Sequence, residues 1–344
     1  MANPSPGPLE SRYRGTSVSR RLTSFQSLAL WTTGTTYFLI LVGGLVRASG
    51  AGLGCPDWPR CFGSWIPPTS ADALPPGFLP SQFNAALMWT EYLNRLLGVT
   101  VGLLILATLV SAWRHHRRTP RIFRPTLAAF LLVGFQGWLG GVVVQQELTA
   151  WIVTVHMLVA LVIVSLLLYA TVYAFFADGA AARVHGAARR PLAWSALALI
   201  VLTLVQVALG TQVREGIDEA LAHDTPRAEA LATVGRYDTW HRDAALAVAA
   251  LTMWVVWLVW TRHRREAALA RTALLMASLV GLQVLLGLTM AYVALAPAAQ
   301  VAHLTASALL LGAQTMLFLL ARWLPEGEVS GAASRVQSAA PARS

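Results

Sequence analysis

LTAWIVTVHMLVALVIVSLLLYATVYAFFA, residues 148–177, runs for 30 positions without an Asp, Glu or Arg. A helix needs about 20 mostly apolar residues to cross the hydrocarbon of a bilayer, so this stretch is long enough to span. It lacks the strict alternation that a lipid-facing barrel strand would show. Working outward, the same criterion picks out Leu22–Val46, Leu96–Trp113, Pro125–Gln146, Pro191–Val213, Ala244–Thr261 and Thr272–Ala321. The last is too long for one crossing. Pro297 divides it, because proline removes a helical hydrogen bond and clashes with the preceding turn. The sequence therefore predicts an all-α membrane protein with eight transmembrane helices.

Composition agrees. The 344 residues are 56% hydrophobic and 12% charged, against about 25% charged in a soluble domain. A disordered chain, a soluble two-domain enzyme and a nucleic-acid-binding module are excluded. All 26 basic residues are Arg, and 19 of them fall before the first span, between spans two and three, four and five, six and seven, or after the eighth. The other side holds 7 Arg and 11 of the 16 acids. Basic residues stay on the cytoplasmic side, so both termini are expected there, in a multi-pass protein of the plasma membrane. The first span exceeds the 7–15-residue core of a cleaved signal peptide and reads as retained. Residues 1–21 and 323–344 read as disordered cytoplasmic tails, and 178–190 as a cytoplasmic linker. In the outer segment Glu215–Asp238, Asp224-Thr225-Pro226 predicts a further helix start.

The two halves repeat. Glu91-Tyr92-Leu93-Asn94-Arg95 and Asp238-Thr239-Trp240-His241-Arg242 share an acid-x-x-(Asn/His)-Arg pattern, offset by 147. The same offset relates Gly140 to Gly287 and His156 to His303. Gln136-x-x-Leu139-Gly140, Gln206-x-x-Leu209-Gly210 and Gln283-x-x-Leu286-Gly287 recur on the odd-numbered spans, and Val42-Gly43-Gly44 is a weaker relative. From there Arg47 and Arg214 align at an offset of 167, which places 20 extra residues in the first outer loop. The expected architecture is two tandem, pseudo-symmetric four-helix bundles, 22–177 and 191–322, with a lengthened outer loop over 48–88.

Of the eight His, His115, His116, His185 and His263 fall in Arg-rich loops and read as solvated, and His223 lies in an outer loop. His156, His241 and His303 lie in or at the start of even-numbered spans, near the outer side. A membrane His can simply bond to a neighbouring helix. Facing imidazoles two helices apart, such as His241 and His303, can instead hold a haem inside a four-helix bundle. Glycines at the same depth, Gly43, Gly140, Gly210 and Gly287, either let a flat macrocycle approach or reflect small-residue helix packing. Arg47, Arg95, Arg214 and Arg242 suit haem propionates. Arg95 with Glu91, and Arg242 with Asp238, are equally spaced for i,i+4 ion pairs. Glu91 itself reads as a partly desolvated proton acceptor or as a dipole-stabilised acid at a helix start. Cys55 and Cys61 lie on the oxidising face, close enough to form a reducible surface disulfide; a metal pair there lacks a neighbouring His.

Taken together, Gly43-Gly44-Leu45-Val46-Arg47, Gly52-Leu53-Gly54-Cys55-Pro56-Asp57-Trp58-Pro59-Arg60-Cys61, Glu91-x-x-x-Arg95, Gln136-Gly137-x-Leu139-Gly140-Gly141, His156, Leu209-Gly210-Thr211-Gln212-Val213-Arg214, His241-Arg242 and His303-Leu304 resemble the haem A synthase family over about residues 25–322. The resemblance implies a membrane oxidoreductase that oxidises a methyl group of haem O to a formyl group by two hydroxylations, supplying haem A to terminal oxidases. It implies haem b (iron) as cofactor, ligated by His241 and His303 with Arg214 and Arg242 nearby. Haem O would be the substrate, held in the first bundle by His156, Arg47 and Arg95, with Glu91 as the essential acid. It further implies haem O synthase and oxidase assembly factors as partners, in a lipid setting and without nucleic acid, and a homo-oligomer as the assembly. One position departs: Asn94 stands where the family has His. The other reading this supports is a membrane haem b electron-transfer protein without methyl oxidation.

Overall fold

The computed structural model describes residues 22–177, 189–227 and 229–323. It is all-helical apart from short 3₁₀ turns and one isolated bridge, Cys61 to Ser64. Among the described residues, eight helices are long and apolar enough to cross a membrane. These are α1 (Ser24–Ala48), α2 (Ala85–His116), α3 (Pro120–Gln145), α4 (Ala150–Ala177), α5 (Arg190–Ala222), α6 (Arg236–Arg262), α7 (Ala267–Tyr292) and α8 (Pro297–Trp323). Apart from residues 189–190 and 323, the expected tails and linker, with His185, lie outside the described residues.

Local signals set the helix starts. Thr23 caps α1 in a reciprocal box with Gln26, satisfying two otherwise unpaired N–H groups. Asn84 caps α2 through Leu87 N–H. Prolines open α3, α5 and α8, where the missing N–H costs nothing. Pro297 thus separates α7 from α8 as expected. The helix foreseen at Asp224-Thr225-Pro226 is absent. Instead α5 runs on to Ala222, Asp224 takes a left-handed φ of 59°, and only a 3₁₀ turn forms at Ala230–Thr233. An N-cap needs extended backbone, and Asp224 does not have it.

Each of α1–α3 touches the next helix in the chain, and α1 closes back on α4; α5–α8 repeat this order, with α5 against α8. The two sets meet where α8 packs on α1 and α4, and where α4 packs on α5. α8 is the central helix: 67% of its most apolar window is buried, against 22–33% for the others. The outward faces carry large apolar side chains, among them Trp31, Leu103, Leu246 and Leu274. Such a continuous apolar exterior suits lipid rather than water. Polar side chains are used between helices instead. Thr32 bonds Thr108 at 2.8 Å, Thr154 bonds Thr211 at 2.6 Å, and Gln314 donates to Thr203 at 2.9 Å. Each such bond contributes roughly 0.6 kcal/mol in a membrane.

The loops at the Arg-rich end correct one expectation. His263 is not solvated: it is 7% exposed, with Nδ1 3.1 Å from Glu266. Glu266 also pairs with buried Arg189. His116 is half-buried against the Phe25 ring, while His115 is exposed as expected.

Candidate haem sites and the disulfide loop

Four side chains project from the even-numbered helices near the end that carries the Cys loop: Asn94 on α2, His156 on α4, His241 on α6 and His303 on α8. The His241 and His303 ring centroids are 6.3 Å apart. A metal–imidazole bond is about 2 Å long and the ring centre lies about 1 Å beyond the nitrogen, so a shared metal would set the centroids about 6 Å apart. The Nδ1 atoms of His156, His241 and His303, and Oδ1 of Asn94, are buried without a hydrogen-bond partner. A glycine lies beside each imidazole, and at Gly210 it gives the ring clearance: a Cβ there would stand 3.0 Å from His241 Cε1, whereas one at Gly140, 3.6 Å from His156 Cε1, or at Gly287, 3.8 Å from His303 Cε1, would make ordinary contact. Gly43 faces open space. Paired imidazoles, unpartnered nitrogens and the clearance at Gly210 fit a flat haem in the second set of helices.

Around Asn94 and His156 the loop before α2 forms a cap. Cys55 and Cys61 are bonded. The expectation of an exposed, readily reduced bond is not met, since the two residues are 0% and 1% exposed. Phe62, Phe78 and Met88 pack around them. Thiol counting on denatured, non-reduced protein should find no free Cys, and the native bond should resist reductant until the loop is unfolded. Rapid reduction in the native membrane would show that this packing does not shield it.

Glu91 is 4% exposed and faces the same loop. Its Oε2 accepts the Cys55 N–H at 2.8 Å, and its Oε1 accepts Arg95 Nε at 3.0 Å. Arg95 also donates to the carbonyls of Asp57 (2.7 Å), Arg60 (2.9 Å) and Cys55 (3.1 Å). The i,i+4 ion pair is therefore real, and it fastens the loop to α2. Gly54 is required there, because a Cβ would collide with the Leu87 carbonyl group on α2. Trp58 seats the far side of the loop on α3, against Gly141.

The remaining Arg residues are also engaged. Arg47 pairs with Glu215 and Asp218, and Arg214 pairs with Asp218 at 2.7 Å and donates to Gln300 at 2.8 Å. Asp218 thus joins the repeat-related Arg47 and Arg214 across the junction of the two helix sets. Arg242 pairs with Asp238 and donates to the Tyr292 hydroxyl at 3.0 Å. Sequence reasoning missed Asp218, although its i,i+4 spacing from Arg214 was a usable signal. It also missed the contact of Trp58 with α3, for which no local signal exists.

Eight membrane-length helices that hold paired, half-buried imidazoles beside glycine define a polytopic helical membrane protein with candidate metal-ligating His. The family model COX15-CtaA, described as "Cytochrome oxidase assembly protein", matches residues 26–315, and the chain belongs to this family. It is 28% identical over 317 residues to "Heme A synthase" of Methylobacterium sp. (strain 4-46), covering 80% of this chain and 85% of the relative. It is 30% identical over 225 residues to "Heme A synthase" of Rhodospirillum centenum, covering 58% of each. With "Heme A synthase" of Geobacillus kaustophilus it shares 33% identity over 121 residues, 35% of this chain and 33% of the relative. The chain thus spans only a third to three fifths of the length of the last two relatives.

Proposed function

We propose that this chain is a haem A synthase, an oxidoreductase that converts a methyl group of haem O to a formyl group. Two successive hydroxylations, each removing two electrons to an external acceptor, would give a geminal diol, and loss of water would leave the formyl group. The observation that carries this reading is the His241–His303 pair, with centroids 6.3 Å apart and unpartnered buried Nδ1 atoms, in a chain of this family. We assign these two His to haem b, which would supply one-electron transfer when bound. The substrate haem O is assigned to the first helix set, with His156 as its ligand and Asn94 on the facing helix. The two sets are then tandem, pseudo-symmetric bundles, one for cofactor and one for substrate.

In this reading Glu91 acts at the edge of the substrate site. Hydrogen bonds from Cys55 and Arg95 fix its carboxylate, so it can take a proton or orient water in a set direction. The loop over it excludes bulk water. Arg47 and Arg214 reach substrate or cofactor propionates only by sharing them with Asp218, and Arg95 is committed to the loop. Haem O synthase and terminal-oxidase assembly factors are the expected partners. Haem extraction from protein co-expressed with a haem O source tests the reading: haem O or A beside haem b supports it. Haem b alone favours the electron-transfer reading, which the Asn94 substitution supports.

Both termini are proposed to be cytoplasmic. Ser70→Cys, in the Cys-bearing loop, should react with an impermeant maleimide on intact cells. Arg118→Cys should react only after permeabilisation, and the reverse pattern overturns the orientation.

A further inference from the structure

The three half-buried imidazoles share a feature beyond their glycines. On each odd-numbered helix that faces one, a Gln lies four residues before the Gly, which puts both on the same face one turn apart. Gln136 Nε2 donates to the His156 carbonyl at 2.8 Å, Gln206 Nε2 to the His241 carbonyl at 2.9 Å, and Gln283 Nε2 to the His303 carbonyl at 2.8 Å. These carbonyls lie within helices and already accept ladder bonds, so the Gln is a second donor to each. Gln206 Nε2 also lies 3.4 Å from His241 Nε2. The fourth position is different. Leu39 stands four residues before Gly43, Gly43 has open space beside it, and the residue at the repeat-related place on the next helix is Asn94.

We propose that Gln136, Gln206 and Gln283 are positioning residues for axial imidazoles. Each Gln fastens the backbone of its His to the neighbouring helix, beside the Gly one turn away, and so fixes where the imidazole is presented. Gln206 and Gln283 serve the two ligands of the resident haem, and Gln136 serves His156. The one position without an imidazole is also the one without the Gln. The Gln-x-x-x-Gly pattern therefore marks ligand positions rather than helix packing in general.

This rests on His241 and His303 being haem ligands. The test uses the full-length protein purified with its haem, comparing Gln206→Met, Gln283→Met and Gln136→Met. Met keeps the length of Gln and loses the N–H donor. The readouts are the largest electron paramagnetic resonance g value of the low-spin haem, which reports the angle between the imidazole planes, and the rate of haem loss. Gln206→Met and Gln283→Met should shift that g value and speed haem loss about tenfold, the scale for outer-shell metal partners. Gln136→Met should leave the resident haem signal unmoved. Should a Met variant fail to accumulate, Gln283→Leu, which also lacks the donor, should give the same shift. Unchanged g value and retention in the 206 and 283 variants overturn the proposal, as does an equal shift in Gln136→Met. Absence of haem from the unaltered protein would instead overturn the ligand assignment itself.

Discussion

Replacing His303 by Ala is expected to abolish the low-spin haem spectrum of the purified protein, and His241→Ala should do the same. The two rings face each other from α6 and α8 with centroids 6.3 Å apart, and no protein group satisfies either Nδ1. With the pair as the proposed haem ligands, removing one ring would leave a single strong ligand, and so a high-spin centre or an empty site. The effect should be complete, because no other described His lies beside this pair; His156 belongs to α4, against Gly140. The measurement is the reduced spectrum of each variant, with recovery from the membrane as the control for folding. A low-spin spectrum retained in both variants would remove the pair from the haem site.

Restoring an imidazole on α2 should have the second-largest effect. Asn94→His is expected to convert a high- or mixed-spin component of the substrate haem to low spin and to raise the yield of haem A. Asn94 projects from α2 with Oδ1 buried and unpartnered, and a neutral amide is a far poorer iron donor than imidazole. The substrate haem would otherwise depend on His156 alone. Asn and His have similar helix propensity, and Gly43 leaves open space on α1, so the backbone should tolerate the change. The check is the spin state after loading with haem O, together with pigment analysis. If neither spin state nor yield changes, position 94 does not face the iron.

The spans were legible because hydrocarbon demands an uninterrupted apolar run, and hydropathy records that directly. The helix limits were not. Glu91 and Arg95 ended the charge-free run at Leu96, yet α2 begins at Ala85. Likewise α5 passes Val213 to reach Ala222, through Arg214, Glu215 and Asp218. A charge-free window measures the thickness of the apolar layer, whereas a helix continues into water as long as its backbone is bonded. The imidazoles were legible as rare polar groups in apolar runs. Their Gln partners were visible only as a repeated pattern, because a bond to another helix's carbonyl leaves no trace in spacing. The partners of Glu91 and Arg95 were hidden for the same reason, lying 35 to 40 residues away in the Cys loop.

The central place of α8 has a consequence for biosynthesis. It is the last of the eight helices to leave the ribosome, yet α1, α4, α5 and α7 all pack on it. Until it inserts, α1 and α4 lack a neighbour they will later bury, and Gly312 is not yet in place to receive the Tyr37 ring from α1. The first half, although synthesised early, therefore completes its packing only once α8 is in place. Assembly closes from the C-terminal end, with His303 arriving on the same helix that locks both halves together.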